Sequence, residues 1–224
     1  MPNTLSEAVN PVRIVFLYFG AQCPWTLWMI EQAKDAADQL GDSIDIVDII
    51  QKPEMAVRYN VFFPFMTIID NELRIPGPIP AIKLVEIVKG GLKPNQAILK
   101  SLKPSGRSKI VYPLTIGNIA DTCQLCNYST AQAREAKCEW ASKVKKVTQN
   151  DILGFIAYEG KKAIAVVEFL PSPLVPYPLP EKNPKIAFIT CIYSIENADL
   201  DYREQVLNCL IVYLSNQGYE KIQV

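Results

Sequence analysis

Hydrophobic and polar positions along this chain recur with two different periods, and the switches between them mark out its elements. Residues 13–19 (RIVFLYF) form a short apolar run rich in β-branched and aromatic side chains, the pattern of a buried strand. From Trp25 the apolar residues Leu27, Trp28, Ile30, Ala33, Ala37 and Leu40 recur at helical spacing, and Gly41 supplies the stop. Residues 44–50 read as a second strand and 54–59 as a short helix. Residues 65–69 read as a third strand, turning at Asp70-Asn71 into a fourth over 72–75. Helices are expected over 80–89 and 95–102, so the order in this region is β-α-β-α-β-β-α.

Residues 101–108 (SLKPSGRS) have linker composition and no apolar period, which divides the chain into a first domain, 1–100, and a second, 109–224. In the second, 109–113 reads as a strand, 117–126 and 131–147 as helices, and 153–158 with 163–170 as a hairpin around Glu159-Gly160-Lys161. Six prolines between 170 and 184 predict an extended connection that stays out of central strands and covers a sheet edge. Its Pro173-Leu174-Val175-Pro176 is a stiff loop segment rather than a recognition motif. A strand over 186–194, a helix over 202–216 and a last strand over 221–224 complete the order β-α-α-β-β-β-α-β. The predicted class is α/β in an α+β arrangement of two domains.

Composition narrows the chemistry. Hydrophobic residues are 49% and charged residues 21%, the balance of a packed globular chain. Lys and Arg together number 23, as do Asp and Glu, which argues against a nucleic-acid or anionic-membrane partner. There is no histidine, so no Ser-His-Asp triad, Cys-His dyad or imidazole-ligated metal can be built from this chain. Residues 1–10 lack the pattern of a secretory leader, and the uncharged stretch 14–30 is interrupted by Gly20, Gln22 and Pro24 and falls short of a membrane span. Six irregularly spaced cysteines fit a reducing compartment, so a cytoplasmic location is expected.

The first chemical constellation is Gly20-Ala21-Gln22-Cys23-Pro24-Trp25-Thr26, where the first strand hands over to its helix. A thiol there faces unpaired N–H groups and the positive end of the helix dipole, which predicts a pKa below that of an ordinary cysteine. Pro64, just ahead of the third strand, suits a strand start. With these residues and this element order, residues 12–91 resemble the thioredoxin-like family. The resemblance implies that Pro64 is cis and lies beside Cys23. The family's second cysteine is replaced by Thr26, so what it implies is one-thiol chemistry at Cys23: a mixed disulfide, attack on peroxide, or capture of a soft metal or metalloid. Partners would then be a small thiol, a metalloid or a protein substrate.

Residues 109–224 resemble the GNAT N-acetyltransferase superfamily in element order. The phrases Cys123-Gln124-Leu125-Cys126, Val166-Val167-Glu168-Phe169-Leu170-Pro171 and Phe188-Ile189-Thr190-Cys191-Ile192-Tyr193 resemble its YoaP-type branch, which pairs such a domain with a thioredoxin-like one. The resemblance implies acetyl-CoA as cofactor, met by Tyr193, Ser194 and Arg203, and a general-base carboxylate at Glu168. Segment 194–203 has no glycine for a phosphate-cradling turn and carries Glu196, Asp199 and Asp201, which disfavours acetyl-CoA. Glu168 reads equally as a hairpin carboxylate facing solvent or pairing with Lys161 or Lys162. The final helix and two strands of a full GNAT domain do not follow residue 224, and the exposed sheet edge would favour a homodimer.

Cys123 and Cys126, three apart, can share a helix face with Cys138 on the next helix. They read as soft-ion ligands, as partners resolving a disulfide with Cys23, or as small packing residues; no closed metal site is predicted. Cys191 and Cys209 read as core. The leading expectation is thiol redox or soft-ligand chemistry at Cys23, shaped by Pro64. The alternatives are acyl transfer at a degenerate GNAT-like site and a non-catalytic scaffold.

Overall fold

The computed structural model describes residues 12–41, 43–90, 103–108, 110–195 and 199–224. The fold is α+β, with two mixed sheets. The first holds β1 (Ile14–Tyr18), β2 (Ile44–Asp48), β3 (Phe65–Ile69) and β4 (Leu73–Pro76) in the order β2-β1-β3-β4. The β1/β2 pair is parallel and the other two are antiparallel. Helices α1 (Thr26–Leu40), α2 (Pro53–Tyr59) and α3 (Ala81–Val88) belong to this half, and α1 ends on Gly41 in the left-handed conformation that its lack of a Cβ permits. The expected helix over 95–102 lies outside the described residues.

The second sheet runs in chain order, β5 (Ile110–Leu114), β6 (Gly154–Glu159), β7 (Lys162–Pro171), β8 (Ile186–Ser194) and β9 (Lys221–Gln223). Only β8/β9 is parallel, joined through α6 (Arg203–Asn216). Helices α4 (Thr122–Leu125) and α5 (Ala131–Thr148) connect β5 to β6, with the Thr130 side chain accepting from Ala133 N–H at the start of α5. The helix expected over 117–126 is shorter than the pattern suggested. Asn118 folds back, its Oδ1 accepting from Thr115 N–H, and a 3-10 turn precedes α4. Among the described residues no helix is long and apolar enough to cross a membrane.

Strand alternation decides where the site forms. Phe16, on one face of β1, packs with Met29, Ala33, Leu84 and Val85 of α1 and α3. Val15 and Leu17, on the other face, join Leu114, Trp140, Ile156, Val166 and Phe188 of the second half in one core. The outer face of the second sheet, Ala165, Val167 and Phe169, packs on Val206, Leu210 and Leu214 of α6. Both sheets therefore bury one face against a common seam. Gly154 lets β6 approach β7 closely, since a Cβ there would stand 1.9 Å from the Val167 carbonyl oxygen.

The proline-rich connection differs from expectation. β7 continues through Pro171, which pairs with Ala187. The following residues enter the seam rather than covering an edge: Val175 and Tyr177 are buried, and the Tyr177 ring sits 5.5 Å from Phe19 and 5.6 Å from Phe188, centroid to centroid. The described part of the junction, 103–108, is tied to the start of α6 by Gly106 N–H to the Asp201 carbonyl and Asp201 N–H to the Pro104 carbonyl, both 2.8 Å.

Candidate functional site: a thiol-lined cleft at the seam

The site grows out of the turn after β1. Gly20 takes a φ of +48°, and a Cβ on it would meet Ile50 Cδ1 at 2.9 Å, so a glycine is needed where the chain leaves the strand. Phe19 N–H donates to the Pro64 carbonyl at 2.8 Å, which fixes Pro64 beside this turn. The peptide before Pro64 is trans, as are all peptides among the described residues, which corrects the cis geometry implied by the resemblance. The turn then places Gln22 and Cys23 at the seam, facing the second sheet.

Two connected spaces open there. An outer vestibule of about 440 Å³ is lined by Cys23, Trp25, Phe63, Pro64, Phe65, Gly77, Pro78, Cys126, Asn127, Cys191 and Tyr193. An inner chamber of about 50 Å³ is lined by Gln22, Cys23, Pro24, Pro64, Thr122, Cys126, Val166, Glu168, Thr190 and Cys191. Cys23, Pro64, Cys126 and Cys191 are common to both walls. The vestibule is of a size that holds a small organic molecule, and the chamber has room for a few waters or one functional group.

At the floor lies a buried ion pair. Lys137 Nζ donates to Glu168 Oε2 at 2.8 Å, and it also donates to the Gln22 carbonyl. The ammonium stands 4.6 Å from the centre of the Trp140 ring, and Gln22 Nε2 donates to Glu168 Oε2 at 3.2 Å. Glu168 is 2% exposed and Lys137 is fully buried, so the reading of Glu168 as a solvent-facing carboxylate or a partner of Lys161 or Lys162 is corrected. Burial pulls the Lys137 ammonium toward deprotonation, but the adjacent Glu168 carboxylate does more in the other direction and holds it protonated. Gln22 Oε1 and Thr190 Oγ1 are buried without a hydrogen-bond partner, so the chamber keeps one unused amide acceptor and one hydroxyl able to donate or accept. A bulge in the β7/β8 ladder at Glu168/Phe169 makes Thr190 the extra residue of β8.

The thiols are protonated. Although Cys23 keeps some open surface, burial of its sulfur outweighs the Trp25 N–H hydrogen bond and pushes its pKa up to about 12. Cys126 is likewise pushed up to about 12 by burial, and burial raises Cys191 strongly. The expectation of a depressed Cys23 pKa is therefore reversed: α1 begins at Thr26, beyond the thiol, and desolvation wins over the helix end. Thr26 is itself buried, its hydroxyl unpartnered. Iodoacetamide should accordingly label Cys23 and Cys126 in the native protein far more slowly at pH 8 than in the unfolded chain. Labelling of Cys23 at the rate of a free thiol would contradict the desolvated seam. A thiol whose folded pKa is raised favours folding at any pH below its unfolded value. That contribution is lost as pH rises from the ordinary thiol range, 9.0, toward about 12, so stability should fall over that alkaline window.

The other expected thiols are split. Cys126 borders the cleft beside Cys23, Cys123 is buried in α4, and Cys138 packs against the common core from α5. Among the described residues no group of three or more His, Cys, Asp or Glu side chains is arranged to hold a metal ion. Trp25 pins the two sides of the cleft: its indole N–H donates to the Cys126 carbonyl at 2.9 Å, and its ring stacks on Tyr128 at 4.8 Å. The sequence reading placed Cys191 in the core, whereas it lines both spaces.

At the start of α6 the Arg203 guanidinium and the N–H groups of residues 201, 202 and 203 are occupied. Arg203 Nε donates to both Asp201 oxygens, at 3.0 and 2.9 Å. The N–H groups of residues 201, 202 and 203 donate to the Pro104 carbonyl, Ser194 Oγ and Asp201 Oδ1. Residues 196–198, which include Glu196, lie outside the described residues, and Tyr193 lines the vestibule instead.

No family model and no curated protein matches this chain. Among solved structures, an N-acetyltransferase from Staphylococcus aureus Mu50 is similar at 15% identity with a TM-score of 0.38. The match covers 50% of this chain and 70% of that one.

Proposed function

We propose that the protein transfers an acyl group from a thioester to an amine held in the cleft, with Glu168 receiving the proton that the amine releases. The observation that carries the reading is a buried carboxylate, Glu168, at the floor of a largely apolar cleft. Glu168 and Lys137 together are neutral, so the chamber favours a neutral amine, the nucleophilic form, over an ammonium ion. The amine nitrogen attacks the thioester carbonyl and gives a proton to Glu168; the C–S bond breaks, the departing thiolate takes that proton and leaves as a thiol, and an amide forms. The strand order β5-β6-β7-β8-β9, with its single parallel pair bridged by α6, supports a GNAT-like ancestry for the second half. The order β2-β1-β3-β4 supports a thioredoxin-like one for the first.

Because the N–H groups of residues 201, 202 and 203 are already bonded, they offer the donor no phosphate cradle. Acetyl-CoA and the phosphate-free S-acetyl-N-acetylcysteamine should therefore acylate phenethylamine with kcat/KM values within about threefold of each other, followed by mass spectrometry of the amide product. Absence of amide with either donor refutes acyl transfer, and a hundredfold preference for acetyl-CoA refutes the missing cradle.

A second reading, capture of a soft electrophile by two of the three cleft thiols, is favoured by Cys23, Cys126 and Cys191 bordering the same two spaces.

A further inference from the structure

In the half that carries Cys23 burial holds that thiol protonated, and this half supplies much of the vestibule wall. Trp25, Phe63, Pro64 and Pro78 come from it, and Cys191 and Tyr193 face them from β8. Phe63 stands 49% exposed at the rim, a large ring left open where the other aromatic residues of this half are mostly covered. Trp25 is held rigid by its bond to the Cys126 carbonyl and its stacking on Tyr128, so this wall is preformed. Among the described residues no charged side chain lines the vestibule, while the adjoining chamber holds Glu168. An apolar space of about 440 Å³ adjoining a chamber of about 50 Å³, itself mostly apolar but holding the Glu168 carboxylate, describes the shape of its occupant.

We infer that the first half is the specificity wall of the site, and that its ligand is a small molecule with an apolar, ring-sized body and a single neutral hydrogen-bond-donating tip. The body lies between Phe63, Trp25 and Pro78, and the tip reaches the chamber beside Glu168. Polyamines and other multiply charged molecules are excluded, because a second charge would be left in the vestibule without a partner. An anionic tip is excluded because it would face the Glu168 carboxylate, whose counter-charge, Lys137, is already paired with it. The inference rests on the acyl-transfer reading only for the identity of the tip as an amine; the apolar body follows from the vestibule.

The test is calorimetric titration of the full chain, without any acyl donor, using phenethyl alcohol, phenethylamine, hydrocinnamate and spermidine as probes. Phenethyl alcohol and phenethylamine should bind at one site, phenethylamine more tightly as pH rises from 7 toward 9 and its neutral fraction grows. Hydrocinnamate and spermidine should bind at least tenfold more weakly. Phe63→Glu, a change at an exposed rim position, should weaken phenethyl alcohol at least tenfold with an unchanged melting temperature, and Phe63→Leu should stay within about threefold of the parent. Equal binding of spermidine or hydrocinnamate, no binding of either phenethyl probe, or indifference to Phe63→Glu overturns the inference. Binding of the phenethyl probes with no amide formed from a thioester would sink acyl transfer alone. Acylation of spermidine in preference to phenethylamine would sink the specificity wall alone.

Discussion

Replacing Lys137 with methionine should lower the unfolding free energy by about 3–5 kcal/mol, because it strands the Glu168 carboxylate in the seam without its counter-charge. Both side chains are almost fully buried, so solvent does little to soften the loss. The same change removes the bond to the Gln22 carbonyl, which ties the thiol turn to α5. Denaturant melts measure this as a lower midpoint at constant slope, and heating as a fall in Tm on the order of 10 °C. Adding Glu168→Leu to Lys137→Met should recover most of the loss, since two apolar side chains of similar volume replace a costly buried pair. A single-variant cost below about 1 kcal/mol, the range of an exposed pair, would mean that the two charges meet water in solution.

Glu168→Gln is the corresponding test of chemistry. The amide keeps the shape of the carboxylate and can still accept from Lys137 and Gln22, but it cannot take a proton. Acyl transfer should fall by about 10²–10⁴-fold, the usual contribution of a general base. Glu168→Gln also leaves Lys137 without its anion, so lost activity could reflect lost folding. The double variant Lys137→Met/Glu168→Gln separates the two causes: it relieves the stranded charge and restores stability, yet should remain as slow as Glu168→Gln alone. Recovery of the rate in the double variant would show that Glu168 holds the fold rather than the proton.

The two sheets were legible because most of their strands read as short apolar runs rich in β-formers and their turns carry strong signals. Gly41, Asp70-Asn71 and Glu159-Gly160-Lys161 each sit at a reversal that the structure keeps. The seam was not legible, because nothing local tells a strand which partner covers its second face. Cys23 shows the consequence: its sequence context points to an ionised thiol at a helix start, whereas its state is decided by burial among its own half's core and residues such as Cys126, Val166 and Cys191, more than a hundred positions on. Lys137 left a readable trace. Ala133, Lys137, Trp140 and Ala141 form the buried stripe of α5, and a lysine on an apolar helical stripe calls for a buried acid. Glu168, inside the apolar run of β7, is the complementary anomaly, and pairing the two would have located the site. Gln22 and Cys191 carried no such signal, since a glutamine in a turn and a cysteine in a strand are ordinary residues in those places.

The common core also constrains how the chain is made. The first sheet leaves the ribosome with Ile68 on a face whose cover includes Val166, nearly a hundred residues further along. At ordinary rates of synthesis that face stays bare for roughly 5–20 s. The nascent first half must therefore wait in a sticky, half-covered state, and a chaperone or the ribosome surface has to shield it until β7 and β8 arrive.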